Sequence, residues 1–157
     1  MWRAVTWKRR ATIVGSCEVD FDKAVWTIPA GRMKAAKEHR VPLSPRAVEI
    51  LEAVKPLGST WLFSGNPKDS DDARSKLSSM AMTMLLRRMK VDATVHGSRS
   101  TFRDWAAECT GIAHEVCEMA LAHAIPNKAE AAYRRGDLFE KRRRLMNDWA
   151  TYCATSD

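Results

Sequence analysis

The chain has 157 residues, of which 45% are apolar and 29% are charged, and its net charge is +7. This length allows one domain with a hydrophobic core, and the composition is that of a soluble globular protein. No apolar run approaches the roughly eighteen residues that cross a bilayer, and the N-terminus lacks the apolar segment of a secretory signal peptide. We therefore expect a cytoplasmic protein with no membrane partner. The excess of Lys and Arg indicates a polyanionic partner.

The cysteines favour neither a disulfide framework nor a metal site. The four of them are Cys17, Cys109, Cys117 and Cys153. They are too sparse and irregularly spaced for a set of disulfides. Two of them alternate with histidines at Cys109, His114, Cys117 and His123, but this spacing matches no common zinc finger. We expect the cysteines to fill gaps in the core, and we expect no metal and no cofactor.

Residues 18–44 are predicted to form a small antiparallel sheet. The β-forming residues of its first two strands are Val19, Phe21, Val25, Trp26 and Ile28, with a turn at residues 22–23. Residues 29–38 then form a second, basic turn, and residues 39–43 return as a third strand. Pro42 in that strand indicates the edge of the sheet, because proline cannot donate a ladder hydrogen bond.

Helices are predicted from Ser44 onward. Ser44 followed by Pro45 is typical of a helix start, and the apolar face of that helix carries Val48, Leu51 and Val54. A short strand at residues 61–63 and a polar loop at residues 64–72 follow. A helix is then predicted from about residue 73 to residue 90. Its inward side chains are predicted to be Leu77, Met80, Met84 and Leu85.

Three or four shorter helices are predicted to complete the chain. The first has an apolar face formed by Phe102, Trp105, Ala106 and Cys109, and the next by Val116, Met119 and Ala120. Pro126 opens a further segment, which Gly136 ends. Asp137 and Glu140 have the spacing of a capping box for the last helix. Its apolar stripe is Leu138, Leu145, Met146 and Trp149, and the basic run at residues 141–144 is interpreted as a solvated face.

His96 and Arg99 form an H-x-x-R pair where one of these helices begins. The free N–H groups and the dipole of a helix N-terminus favour anions. An arginine there can grip a phosphate with two hydrogen bonds. The four-residue pattern is common, so by itself it indicates an ordinary surface pair.

The residues around this pair resemble those of a known family. Residues 95–105 (Val-His-Gly-Ser-Arg-Ser-Thr-Phe-Arg-Asp-Trp) resemble the central box of phage-type integrases, a branch of the tyrosine recombinases. Residues 121–123 (Leu-Ala-His) match the second histidine position of the family, and residues 131–135 (Ala-Ala-Tyr-Arg-Arg) match its nucleophile segment. The resemblance runs from about residue 18 to residue 152, with several boxes in the family order.

The resemblance implies a fold and a set of site residues. The fold is a mainly α domain with a small antiparallel sheet near the N-terminus. The implied catalytic residues are Tyr133 as nucleophile, Arg99, His96 and His123 on the phosphate, and Lys34 on the β turn, with Lys37 nearby on the same turn. Residues expected to contact DNA are Lys37, Arg40, Arg103, Arg134 and Arg135.

These residue types suit strand exchange without a metal or cofactor. A protein–phosphate ester conserves the energy of the phosphodiester bond, and a tyrosine phenol can form one. The phenol is a weak nucleophile, with a pKa near 10, so cationic and hydrogen-bonding groups must stabilise charge on the phosphoryl oxygens. A lysine on a mobile turn can protonate the departing 5′ oxygen. The resemblance therefore implies site-specific recombination or integration of duplex DNA.

The N-terminus departs from the family pattern. The family's first catalytic arginine lies in an R-x-G-E or R-x-S-E box, and the nearest match here is Arg9, followed three residues later by Thr12 instead of an acidic residue. We expect residues 1–157 to be one catalytic domain, truncated relative to the family and without its upstream DNA clamp. We also expect a homo-oligomer on DNA through the C-terminal helix. Two alternatives are a catalytically degraded DNA-binding remnant and a protein-interaction module.

Overall fold

The computed structural model describes residues 14–33, 35–54, 61–63, 77–78, 80–123 and 136–155. These residues form a mainly helical domain with one small antiparallel sheet, so the predicted fold class is confirmed. The strands are β1 (Val19–Asp20), β2 (Val25–Ile28) and β3 (His39–Pro42), and the helices are α1 (Pro45–Val54), α2 (Ala81–Arg88), α3 (Gly97–Glu108), α4 (His114–Ala120) and α5 (Phe139–Thr155). Within these ranges, every helix is too short or too polar to cross a membrane.

The sheet has the order β1-β2-β3, with both pairs antiparallel. The first turn lies at residues 21–24, where predicted, and β3 is an edge strand, as Pro42 indicated. The second turn contains a short 3-10 helix, Ala30–Arg32. It returns Arg32 to Glu18, which pairs with the guanidinium and also accepts a hydrogen bond from the Trp26 indole at 3.1 Å.

The predicted cap of α1 is confirmed, since the Ser44 hydroxyl accepts a hydrogen bond from the backbone N–H of Ala47 at 3.3 Å. α1 buries Ala47 and Leu51 against the sheet. The predicted strand at residues 61–63 is reduced to one bridge, between Trp61 and Gly15. Together these elements bury a first core, formed by Val14, Val19, Trp26, Ile28, Val41, Leu43, Ala47, Leu51 and Leu62.

A second core lies between α3, α4 and α5. Its members are Phe102, Trp105, Ala106, Val116, Cys117, Ala120, Leu121, Leu145 and Trp149. The Phe102 and Trp149 rings meet edge to face with their centroids 5.4 Å apart, a favourable arrangement for aromatic rings. The predicted stripe of the last helix is confirmed, because Leu145 and Trp149 are buried and Leu138 and Met146 pack beside them. α5 thus buries its apolar face within its own chain.

Two predictions about apolar residues are wrong. Residues 77–78 are not helical and α2 begins at Ala81, so the helix does not extend back to residue 73 as one unbroken element. Met80, Met84 and Leu85 are between 40% and 50% exposed. Helical spacing identifies an apolar face but does not identify what covers it. The prediction that the cysteines fill the core holds for Cys117, which is buried, and for Cys153, which packs against the second core, but Cys17 and Cys109 are exposed.

The basic run at the start of α5 contains one buried charge, contrary to prediction. Arg142 is only 1% exposed. Its guanidinium donates to the backbone oxygens of Arg40 (2.6 Å) and Asp137 (2.8 Å) and to the Asp137 carboxylate (3.0 Å). That carboxylate also accepts from the Arg40 side chain at 2.8 Å. The interpretation as a solvated face fails at Arg142 because these acceptors, partly from β3, surround it.

Candidate active site

The site begins where α3 begins. The Thr94 hydroxyl accepts a hydrogen bond from the backbone N–H of Gly97 at 2.9 Å, which stabilises the first turn. His96 lies just before the helix and is exposed, whereas Arg99 in the first turn is only 7% exposed. The start of α3 therefore carries one exposed imidazole, His96, and one buried guanidinium, Arg99.

Arg99 contacts the predicted second histidine. Its Nη2 donates to the backbone oxygen of Leu121 at 2.8 Å and lies 2.7 Å from His123 Nε2. A guanidinium has only donors, so Nε2 must be the acceptor in this contact. His123 is therefore the neutral tautomer with its proton on Nδ1. Burial lowers the pKa of Arg99, the nearby Glu118 partly offsets this, and the guanidinium keeps its charge.

The other nitrogen of His123 faces a carboxylate that sequence analysis missed. His123 Nδ1 lies 2.6 Å from Glu118 Oε2, and Arg103 Nε donates to Glu118 Oε1 at 2.7 Å. Arg103 also bonds to His114 through its Nη2. Burial acts to raise the pKa of Glu118, but the hydrogen bonds from His123 and Arg103 and the charge of Arg103 outweigh it and hold the pKa below the ordinary value of 4.5.

The end of α4 explains why Glu118 and His123 meet. Ala122 has a positive φ of 54°, and the backbone N–H groups of Ala122 and His123 donate to the carbonyls of Met119 (3.0 Å) and Glu118 (2.9 Å). These two bonds form a Schellman motif, which folds the chain back over the last helical turn. His123, three residues past the end of α4, is thereby returned to Glu118, five positions before it.

The remaining predicted residues divide into two groups. Those outside the described residues are Arg9, Lys34, Tyr133, Arg134 and Arg135. Among the described ones, Lys37 is exposed. Arg40 pairs with Asp137 at 2.8 Å and lies over the Phe139 ring, and Arg103 pairs with Glu118. Two of the cations expected to contact DNA are therefore also engaged by carboxylates of this chain.

The cysteine–histidine spacing forms no metal centre in the part of the chain that the structure describes. No three His, Cys, Asp or Glu side chains are grouped there as metal ligands would be. Cys117 is buried in the second core, while Cys109 is exposed. His114 and His123 instead lie on the Arg103–Glu118 pair.

No family model matches the chain. It is 35% identical over 163 residues to the prophage integrase IntA of Escherichia coli strain K12, an alignment that covers 100% of this chain and 38% of that protein. It is 32% identical to the integrase of Enterobacteria phage P4, over 86% of this chain and 34% of that one. The chain thus spans little more than a third of the length of these relatives.

A solved structure shares the fold. The integrase from mycobacterium phage Brujita superposes with a TM-score of 0.62 over 92% of this chain and 48% of that one, at 19% sequence identity. At this identity the match shows the fold alone.

Proposed function

The chain belongs to the phage-type integrase family, and we propose that it carries the strand-transfer site of a site-specific DNA recombinase. The observation that carries the proposal is the buried Arg99 guanidinium in contact with His123. A buried cation next to an imidazole is suited to a phosphoryl group, because the guanidinium can donate to its oxygens while the imidazole accepts from the guanidinium and orients it. The net charge of +7 adds a general attraction for DNA.

The proposed reaction is a transesterification. The Tyr133 oxygen attacks the scissile phosphorus and forms a 3′-phosphotyrosyl bond while the bond from phosphorus to the 5′ oxygen breaks. The phenol proton passes to solvent, and Lys34 gives a proton to the departing 5′ oxygen. Attack by a 5′ hydroxyl of another strand reverses the steps and releases Tyr133. Because the ester conserves the bond energy, this scheme uses no metal and no cofactor.

Charge stabilisation in this scheme falls to Arg99, His123 and His96, with Arg9 as the proposed first arginine. Removing one preorganised donor of this kind typically costs on the order of 10²–10³ in rate. Phosphate groups next to the scissile one are proposed to contact Lys37, Arg40, Arg103, Arg134 and Arg135. Arg40 and Arg103 would make these contacts while they remain bonded to Asp137 and Glu118.

Covalent trapping tests the nucleophile. The chain is incubated with a library of nicked duplexes of random sequence, in which the nick lets the cleaved end diffuse away. Adducts that survive denaturing washes are recovered and sequenced, which also identifies the preferred DNA site. Tyr133→Phe should abolish the adduct, whereas Tyr152→Phe should retain it, since Tyr152 is stacked on Trp149 at a centroid distance of 5.6 Å. An adduct that persists in Tyr133→Phe would refute the assignment.

Assembly on DNA is proposed to involve α5. Because Leu145 and Trp149 are buried in its own chain, a contact between copies must use the outer face of the helix, where Tyr152 is 41% exposed, or must exchange the whole helix. Light scattering with and without bound duplex measures the number of copies. Tyr152→Ala should lower that number if the outer face is used and leave it unchanged if the helix is exchanged. A single copy on every duplex, in the wild-type chain, would remove assembly from the proposal.

A further inference from the structure

We infer that Glu118 is a positioning residue that fixes the ring of His123 against Arg99, the guanidinium proposed to bind the phosphate. This inference rests on the proposed function, since it assigns a task to a neighbour of that site. Glu118 acts on Arg99 through the imidazole, because it bonds to Nδ1 of His123 while Nε2 contacts the guanidinium.

The hydrogen-bond chemistry leaves one consistent arrangement. Arg99 Nη2 has only protons to offer, so His123 Nε2 presents a lone pair. The His123 proton then lies on Nδ1, where it meets the Glu118 carboxylate at 2.6 Å. The hydrogen bond made by one imidazole nitrogen sets the state of the other. Glu118 therefore holds the Nε2 lone pair on Arg99, so the imidazole orients the guanidinium that is proposed to donate to the phosphate oxygens.

Arg103 completes the arrangement from α3. Its Nε donates to the second oxygen of the same carboxylate at 2.7 Å, and both side chains are about 27% exposed. A carboxylate can accept from two donors at once, one on each oxygen. Glu118 thus links α3, through Arg103, to the segment after α4 that carries His123. Arg103, expected from sequence to contact DNA, gains a second task as the partner that orients Glu118.

An amide at position 118 gives a sharp test. Glutamine has nearly the same shape, but it has one acceptor oxygen and one donor group. The guanidinium of Arg103 is charged and gains more from an acceptor than a neutral imidazole does. In Glu118→Gln the oxygen therefore turns to Arg103, and the NH₂ group faces His123 Nδ1. The Nδ1 atom must then accept, so the ring proton moves to Nε2. There it faces a donor of Arg99, and the hydrogen bond between His123 and Arg99 is lost.

The tautomer is measured in the free protein by long-range ¹H–¹⁵N NMR of the imidazole nitrogens, with His123→Gln used for assignment. The wild type should favour the Nδ1–H form by at least about tenfold, the ratio that a charge-assisted hydrogen bond supports. Glu118→Gln should reduce this ratio by at least about tenfold. The double variant Glu118→Gln/Arg103→Met should restore it, because the amide oxygen can then turn to His123. Glu108→Gln, which changes an exposed carboxylate on α3, is the matched control.

Adduct formation gives the second measurement. With a cleavable DNA site from the trapping library, Glu118→Gln should slow adduct formation by about 10- to 100-fold, as losses of ligand-orienting partners do elsewhere. The double variant should recover to the rate of Arg103→Met alone. Far-UV circular dichroism and urea unfolding verify that each variant is folded. If the effect of Glu118→Gln were purely structural, the double variant would stay slower than Arg103→Met alone.

The outcomes separate this inference from the function on which it rests. If the wild-type chain forms no adduct while Glu118→Gln changes the tautomer as expected, the recombinase proposal is refuted and the positioning role stands. A wild-type His123 protonated on Nε2 would overturn the positioning role even if adducts form. The same conclusion would follow if Glu118→Gln leaves the tautomer ratio within about twofold of the wild type.

Discussion

Replacing Arg142 with methionine tests how α5 is held against the sheet. The guanidinium is buried and donates to two backbone oxygens and one carboxylate, at 2.6 to 3.0 Å. One of those oxygens belongs to Arg40 in β3, so the contact joins α5 to the sheet. Methionine keeps an unbranched apolar stem and a similar helix propensity, but it is shorter than arginine and has no donor.

The expected loss follows from the groups left behind. Removing one member of a buried ion pair typically costs about 3–5 kcal/mol, because the other charge stays buried without its partner. Here the Asp137 side chain is 38% exposed and keeps its bond to Arg40, which reduces that cost. Two carbonyl oxygens also lose a donor, at up to about 1–3 kcal/mol each where water cannot replace it. We therefore expect the free energy of unfolding to fall by about 2–4 kcal/mol.

Urea unfolding followed by tryptophan fluorescence measures this loss, and thermal unfolding should show a Tm lower by about 4–16 °C for a domain of this size. Lys141→Met, at the exposed neighbouring position, is the matched control and should change the free energy of unfolding by less than about 0.5 kcal/mol. A difference between the two variants of less than about 1 kcal/mol would refute the reasoning, since the buried hydrogen bonds would then contribute no net stability.

Three further predictions concern acid stability, a helix end and DNA binding. The pKa of Glu118 is lowered on folding, so its contribution to stability is present above the ordinary value of 4.5 and is lost as the pH falls through the lower folded value. Urea titrations from neutral to acidic pH should therefore show that the free energy of unfolding falls less in Glu118→Gln than in the wild type. Equal decreases in the two proteins would contradict this. Ala122→Gly should raise the free energy of unfolding by about 0.5 kcal/mol, because glycine adopts the left-handed backbone of Ala122 without strain and loses only part of this gain to chain entropy. A urea midpoint lower than that of the wild type would count against the Schellman motif at the end of α4. The chain should bind duplex DNA weakly, in roughly the micromolar range, with an affinity that drops steeply between two salt concentrations in fluorescence anisotropy; no binding at low salt would oppose a DNA partner.

The elements that sequence predicted well are those in which residue type and spacing decide the outcome locally. β-forming residues on either side of a polar turn determine β1 and β2, and the apolar stripe of α5 follows from Leu145 and Trp149 at helical spacing. α2 shows the limit of this reasoning, because its methionines have the same spacing and yet Met80 and Met84 are exposed. Periodicity describes one helix, whereas burial requires a second surface that faces it.

Burial of charge was harder to predict than burial of apolar residues. Arg142 lies in a run of four basic residues, and only the fold brings the Arg40 carbonyl, 102 positions away, within hydrogen-bond reach. Glu118 was missed for a related reason. Its spacing to His123 is five residues, which places the two on different sides of a continuing helix, and the reversal at Ala122 changes this. Arg99 and His123 were expected to be neighbours, and they are; whether Tyr133 joins them stays a prediction.

The position of the Arg99–His123 pair is set by the same packing that stabilises the domain. Arg99 donates to the backbone oxygen of Leu121, and the Leu121 side chain is 1% exposed in the second core. Phe102, in the next turn of α3, is buried in that core as well. The side chains of Arg99 and His123 are thus each attached to a backbone that apolar contacts hold in place. The conformational entropy of these groups is lost when the chain folds, so it need not be lost again when a phosphate binds. For a reaction that works by stabilising charge, donors fixed before binding contribute more than donors that must reorganise, and this is why the proposed site lies where two helices share one core.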